Sequence, residues 1–259
     1  MLSYPNVKIN LGLHVLRRRP DGFHDLETLF VPCHAYHDTL EITESPVSLP
    51  AGAVDIEIEN CSWDPQKDLT AQAWRLLKAD FPDLPAVRIR MQKGSPVGAG
   101  LGGGSADCAF ALRMISGLFN LGLTDEELAA YAARLGSDCA FFVYNTPMFA
   151  TGRGEQLSPF GIDLSPYEIK VGIPEGIHVS TKEAYGGIVP SADRQGLKEI
   201  LEAGVENWKD LLVNDFEETV FAVHPQIARL KAEMYERGAV YAAMSGSGSA
   251  VFGLFRKQI

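Results

Sequence analysis

The segment Pro96-Val97-Gly98-Ala99-Gly100-Leu101-Gly102-Gly103-Gly104-Ser105-Ala106 places five glycines in the seven positions from 98 to 104, ahead of an apolar run. That run reads as a helix from about Ser105 to Phe119. Glycine admits positive φ and leaves main-chain N–H groups open to a ligand, and a helix N-terminus adds partial positive charge. The chemistry on offer is the cradling of phosphate. Gly98 to Gly103 formally satisfies GxGxxG, the dinucleotide fingerprint, but Pro96 interrupts the strand-to-turn junction and the preceding strands have an antiparallel pattern. A Walker A loop is excluded, because Ala106 follows Ser105 and no Gly-Lys-Ser/Thr occurs there. A flexible linker seldom joins a strand to a strongly apolar helix.

Phosphoryl transfer also requires an oriented hydroxyl, a group to take its proton, and positive charge near the transferred group. Along Val7 to Val15 the residue types alternate, with Val7, Ile9, Leu11, Leu13 and Val15 on one face and Lys8, Asn10, Gly12 and His14 on the other. Lys8 is there either a snorkelling edge residue or a site cation. Asp138 follows Gly136-Ser137 and precedes the apolar Cys139 to Phe142, so it reads as a helix N-cap or as a site carboxylate. Arg17 to Arg19 form the one basic run, read as a solvated turn or as neighbours of an anionic substrate.

The elements that must position these residues follow from periodicity. Strands are predicted at Val7 to Val15, Leu26 to Val31, Thr39 to Thr43 and Val54 to Glu59, of an antiparallel kind, and again from Val87 through Ile89 and Met91 to an end at Lys93. Asp68 is placed to cap a helix running to about Ala79, and Thr124 with Glu127 forms a capping-box signature for another. Beyond that, Met148 to Thr151, Tyr167 to Ile173 and Val251 to Phe255 read as strands, and Leu197 to Ala203, Trp208 to Ala222 and Pro225 to Arg237 as helices. A boundary falls at the turn residues Gly152 to Gly154, dividing the chain into 1–152, which carries the glycine loop, and 153–259.

Three separated motifs carry a resemblance. P-V-G-A-G-L-G-G-G-S-A-D at 96 to 107 resembles the phosphate loop of the galactokinase, homoserine kinase, mevalonate kinase and phosphomevalonate kinase (GHMP) superfamily, and A-A-M-S-G-S-G-S-A-V-F-G at 242 to 253 resembles its third motif. V-K-I-N-L-G-L-H-V at 7 to 15 with R-P-D-G-F-H at 19 to 24 resembles the opening of one branch, the 4-diphosphocytidyl-2-C-methyl-D-erythritol kinase family. L-G-S-D-C-A-F-F at 135 to 142 and A-T-G-R-G-E at 150 to 155 extend the match in order along nearly the whole chain.

The resemblance implies an α/β (α+β) two-domain GHMP kinase fold, its N-terminal half like ribosomal protein S5 domain 2 and its C-terminal half ferredoxin-like, with the active site in the cleft. It implies ATP-dependent phosphorylation of the substrate's 2-hydroxyl, a step of the non-mevalonate (MEP) isoprenoid route. Asp138 becomes the catalytic carboxylate paired with Lys8, and Lys93 and residues Pro96 through Ala106 (Pro96, Val97, Gly98, Ala99, Gly100, Leu101, Gly102, Gly103, Gly104, Ser105, Ala106) the ATP contacts. Asn10, Phe23, His24, Thr181 and Tyr185 become substrate contacts, with Phe23 and Tyr185 as walls of a cytosine slot and His24 reading the base edge. Phe23 stands where the family has tyrosine, and Asp68 where relatives often carry asparagine. Mg²⁺ is expected to be held mostly by ATP oxygens and water, with no protein metal ligands. Two rival readings are a GHMP kinase of the mevalonate or homoserine type and a nucleotide-binding module without catalysis.

Composition narrows the classes further. A chain of 259 residues with 46% hydrophobic and 22% charged residues suits an ordered enzyme. Its formal charge of −10 argues against nucleic acid or anionic membrane as a partner. Cys33, Cys61, Cys108 and Cys139 have no CxxC spacing, and His34 and His37 fall on opposite strand faces, so no zinc site is expected. With no signal-like or membrane-spanning run, the expectation is a cytoplasmic protein acting on a small molecule, as a monomer or weak homodimer.

Overall fold

A computed structural model describes residues 1–47, 49–50, 52–59 and 61–257. Strands β1 (Leu2–Ser3), β2 (Asn6–Arg18), β3 (His24–His37), β4 (Thr39–Glu44) and β5 (Asp55–Glu59) open the chain. Helix α1 (Leu69–Asp80), strand β6 (Val87–Gln92) and helices α2 (Gly103–Leu118), α3 (Asp125–Ala133) and α4 (Cys139–Tyr144) follow. Next come β7 (Met148–Thr151), β8 (Gln156–Pro159), β9 (Tyr167–Gly172), α5 (Thr181–Gly186), α6 (Leu197–Glu202), α7 (Trp208–Leu211), α8 (Phe216–Val223), α9 (Pro225–Glu236), β10 (Tyr241–Met244) and β11 (Val251–Arg256). The chain forms two compact units, each gathered from several segments. One comprises Met1–Val7, Tyr36–Val97 and Gly102–Asn145; the other comprises Lys8–Ala35, Gly98–Leu101 and the chain from Thr146 onward. Compactness therefore does not follow the expected division at 152/153. Gly152 to Gly154 lie in the turn of the antiparallel β7–β8 pair, where Thr151 faces Gln156.

In the first unit the sheet order is β1-β4-β6-β5. β4 runs antiparallel to β6, with Ile42 opposite Ile89, whereas β5 is parallel to β6, with Ile56 opposite Ile89. The expectation of an antiparallel strand at 54 to 59 is thus corrected. Helix α1 lies between β5 and β6 in sequence and supplies the crossover that a parallel pair needs. Asp68 caps α1 by accepting from the Thr70 amide at 2.9 Å, and Thr124 and Glu127 form the expected capping box on α3. Leu40, Ile42, Ile89, Leu77 and Leu112 are fully buried. Each such side chain contributes roughly 1.5–3 kcal/mol when taken out of water.

The second unit holds the sheets β2-β3-β7-β8 and β10-β11-β9, with β9, β10 and β11 antiparallel. The apolar face of β2 is buried as expected, but so is its polar face: Lys8 is 3% exposed, Asn10 2% and His14 0%. Burial pushes the His14 imidazole down to about 4, the Arg194 charge adding to the effect and Asp215 opposing it. β10 escapes the sequence pattern because Tyr241-Ala242-Ala243-Met244 is buried throughout and contains no β-branched residue.

The continuous helix expected from Trp208 to Ala222 is interrupted between α7 and α8. Residues 213–215 pair with β2 instead: the Leu13 amide donates to the Val213 carbonyl and the Asp215 amide to the Leu13 carbonyl, both at 2.9 Å. Buried Asn214 fixes this arrangement. Its Nδ2 donates to the carbonyls of Met244 and Gly246 at 2.8 Å each, and its Oδ1 accepts from the Phe216 amide at 3.0 Å. Replacing it leaves buried carbonyls without a donor, a loss of about 1–3 kcal/mol. Asn214→Ala is expected to lower the urea midpoint by that amount of stability with an unchanged m-value. An unaltered midpoint would show that the break is held by other contacts.

Candidate active site

The second unit supplies a cation beside the middle of the glycine loop. Lys8 leaves β2 at the point where its amide donates to the Leu101 carbonyl at 2.9 Å, which fixes the strand against the loop. Its Nζ donates to Asn10 Oδ1 at 2.6 Å and to the Gly100 carbonyl at 3.0 Å, and lies 5.1 Å from the centroid of the Phe30 ring. Asn10 is held in turn, donating to Thr28 Oγ1 at 2.9 Å while Thr28 donates to the Gly12 carbonyl at 2.6 Å. The late glycine motif closes the other side. Ser245 Oγ donates to the Gly100 carbonyl at 3.1 Å, and the Ala250 amide donates to the Ala99 carbonyl at 3.1 Å. Gly100 has φ +79, and a Cβ there would lie 2.1 Å from the Ser245 carbonyl oxygen, so only glycine fits.

The first unit holds both shoulders of the same loop. Lys93, at the end of β6, is bonded to the carboxylates of Asp38 and Asp107, the latter at 2.6 Å. Asp38 also accepts from the Gly94 and Ser95 amides at 2.7 Å each and from Ser95 Oγ at 2.8 Å. The network therefore staples the strand before the loop to the second turn of α2 after it. Burial alone would push the Asp38 carboxyl up, but the bonds from Lys93 and Ser95 outweigh it and hold it below the usual range. Burial pushes Asp107 up to about 8, the Lys93 charge pulling against it and the Asp38 charge adding to it. Asp38 thus carries the charge paired with Lys93 at neutral pH, and Asp107 retains its proton.

The neighbouring Cys108, with a smaller effect from Ser105, holds the Cys139 thiol below its usual range despite burial. Cys139 opens α4 directly after Asp138. Asp138 occupies the N-cap position of α4 with φ −86 and ψ −10 but makes no side-chain capping bond. Capping does not account for this carboxylate. At Asp68 capping does: its Oδ1 accepts from the Thr70 amide and hydroxyl and its Oδ2 from Trp63 Nε1 at 3.0 Å.

The residues assigned to a nucleobase slot all lie in the second unit. His24 stacks on Tyr185 with ring centroids 4.7 Å apart and an interplanar angle of 22°, and Tyr185 meets Phe216 edge-on. Phe23 is 55% exposed, with the Arg153 guanidinium 4.9 Å from its ring centroid. Burial, helped by the Arg18 charge, lowers His24, leaving a neutral ring with one donor and one acceptor at pH 7. Thr181 is the exposed first residue of α5, and Ser180, not Thr181, caps that helix by accepting from the Glu183 amide at 3.1 Å.

The second unit therefore brings Lys8, Asn10 and Gly98 to Leu101 together, and His24 with Tyr185. The first brings Lys93, Gly102 to Ala106 and Asp138 into one framework. Sequence reasoning missed Asp38, Thr28 and Asn214, which touch the motif residues from outside the motifs, and gave no role to Asp107, the last residue of the glycine-rich motif. The polar partner demanded by a buried Lys93 was the available signal.

Because the folded chain holds the Asp107 proton more tightly than an ordinary carboxyl at 3.8, its stabilising contribution is complete at low pH and is lost as pH rises toward about 8. Asp107→Asn fixes a neutral group there. Its stability relative to the parent is expected to rise between about pH 4 and about pH 8 in urea titrations, then level off. A pH-independent difference would contradict the assignment of the proton.

The family described as GHMP kinases N terminal domain matches residues 68–146, and GHMP kinases C terminal matches 188–258. A 4-diphosphocytidyl-2-C-methyl-D-erythritol kinase of Azobacteroides pseudotrichonymphae is 46% identical over 99% of this chain and 94% of its own length. One from Bacteroides thetaiotaomicron is 45% identical over 100% and 93%. A crystal structure of 4-(cytidine 5'-diphospho)-2C-methyl-D-erythritol kinase superposes with a TM-score of 0.81 at 32% identity, covering 98% of this chain and 90% of that one. The mevalonate kinase of Methanococcus jannaschii, at 14% identity and a TM-score of 0.68 over 99% and 90%, shares the fold. With both GHMP matches in order and relatives of this identity over 93% and 94% of their own length, the chain belongs to the 4-diphosphocytidyl-2-C-methyl-D-erythritol kinase family of GHMP kinases.

Proposed function

We propose that the protein transfers the terminal phosphoryl group of ATP to the 2-hydroxyl of 4-diphosphocytidyl-2-C-methyl-D-erythritol. The observation that carries the chemistry is the buried Lys8 ammonium, held 3.0 Å from the Gly100 carbonyl of the glycine loop. The substrate assignment rests on the relatives' names.

In this reading the main-chain amides from Gly98 to Gly104 and the start of α2 bind the triphosphate, with Pro96, Val97, Ser105 and Ala106 framing them and Lys93 on the nucleotide side. Asp138 orients the acceptor hydroxyl and takes its proton as the O–P bond forms, and Lys8 stabilises the charge spread over the transferring group. Asn10, which orients Lys8, contacts the acceptor. A neutral His24 suits cytosine, whose edge offers both a donor and acceptors, while Phe23 and Tyr185 supply ring faces and Thr181 a hydroxyl for the polyol or its diphosphate.

Among the described residues no group of three or more His, Cys, Asp or Glu side chains is placed to hold a metal ion. We place Mg²⁺ on the nucleotide's own oxygens and water. We infer a cytoplasmic protein, monomeric or weakly dimeric, that engages neither nucleic acid nor membrane. The net charge of −10 argues against nucleic acid or an anionic membrane surface as a partner. No helix among the described residues is long and apolar enough to cross a membrane. The two family matches lie on either side of 152/153, which supports that position as the division between inherited halves even though the compact units interleave.

ATP consumption is expected with the cytidyl-linked polyol and not with mevalonate or homoserine; turnover of either of those would favour a sister activity, and nucleotide binding without turnover a non-catalytic module. Asp138→Asn is expected to lower kcat by about 10²-fold or more with nucleotide affinity retained. Near-normal turnover in that variant would remove the proton-handling role.

A further inference from the structure

His178 belongs to none of the motifs, yet its ring fills the space beside the first glycine of the phosphate loop. A Cβ added to Gly98 would lie 2.5 Å from His178 Cε1, 3.1 Å from Nδ1 and 3.7 Å from Nε2. Gly98 itself has φ +70, the left-handed conformation that turns its peptide out of an extended path. Histidine and loop glycine both belong to the second unit.

The ring is exposed while the backbone on both sides of it is anchored. The Ile177 carbonyl accepts from buried Ser249 Oγ at 2.9 Å, which ties the segment to the late glycine motif. Val179 is buried in the core with Phe216, Val220 and Met244, and Ser180 caps α5. An exposed imidazole gains little from burial, so packing alone does not explain a polar ring at this place. The adjoining α5 carries Thr181 and Tyr185, which puts the ring between the loop and the helix assigned to the acceptor.

We propose that His178 donates a ring N–H hydrogen bond to a phosphate oxygen bound at Gly98 to Leu101, and so belongs to the site as a ligand contact. The inference rests on the kinase reading above. A phosphate oxygen there has two possible sources, the triphosphate of ATP and the diphosphate of the cytidyl substrate, which share the chemistry of an anionic acceptor.

Three variants separate donor from filler: His178→Phe keeps the ring and removes the donor, His178→Ala removes both, and His178→Gln restores an N–H at similar reach. Calorimetric titrations would use a non-hydrolysable ATP analogue, adenosine, the cytidyl substrate and cytidine, alongside steady-state kinetics and thermal melts. The expected result is about tenfold weaker binding of one phosphate-bearing ligand to the Phe and Ala variants, the size of one charge-assisted hydrogen bond. Binding of adenosine and cytidine should be unchanged, Gln should recover part of the loss, and melting should stay near the parent's. A loss confined to the ATP analogue assigns the triphosphate, and a loss confined to the cytidyl substrate assigns the diphosphate. Unchanged affinities in Phe and Ala, or a Gln variant as weak as Ala, would overturn the proposal. Absence of turnover in the parent would strike the kinase reading alone, because the titrations report on His178 without catalysis.

Discussion

A side chain at Gly100 would collide with the Ser245 carbonyl oxygen, and that forbidden volume governs how the second unit is built. The close approach lets Ser245 Oγ and the Lys8 ammonium converge on one carbonyl, that of Gly100, at 3.1 and 3.0 Å. Asn214 then matters because it fixes the carbonyls of Met244 and Gly246 that shape the late glycine turn. Asn10 and Thr28 matter because they set the direction of Lys8. A local main-chain contact is thus supported by polar side chains from four separate stretches of chain, at Lys8 and Asn10, Thr28, Asn214 and Ser245.

Each unit sets one lysine near the loop. In the first unit, Lys93 bonds the Asp38 carboxylate and the Asp107 carboxyl group, so it staples β6 to α2. In the second, Lys8 is buried and its ammonium donates to the oxygens of an amide and a carbonyl, which set its direction. An acidic protein of net charge −10 thus places a directed lysine beside a phosphate cradle. Loop amides add donors that carry no formal charge.

Much of this was legible where the signal is local. The capping box at Thr124 and Glu127, the Asp68 cap and the alternation of β2 depend on residues a few positions apart, and each appears as read. Enclosure of the polar face of β2 was not legible, since alternation separates two faces but does not say what covers them. Lys93 could be placed beside the loop, but its partner Asp38 lies 55 residues away and no period marks the pair. The break before α8 was hidden for a related reason: Leu212, Val213 and Phe216 fit a helical face, and only pairing of 213–215 with distant β2 overrides that propensity. Parallel pairing of β5 likewise depends on a crossover, not on the residues of the strand.

Amide hydrogen–deuterium exchange with and without a non-hydrolysable ATP analogue tests the central claim most directly, because it reads the main-chain donors themselves. The account predicts that the nucleotide slows exchange at Gly98 to Gly104 and in the first turn of α2. Protection confined to other segments, with these amides exchanging as fast as in the free protein, would contradict it.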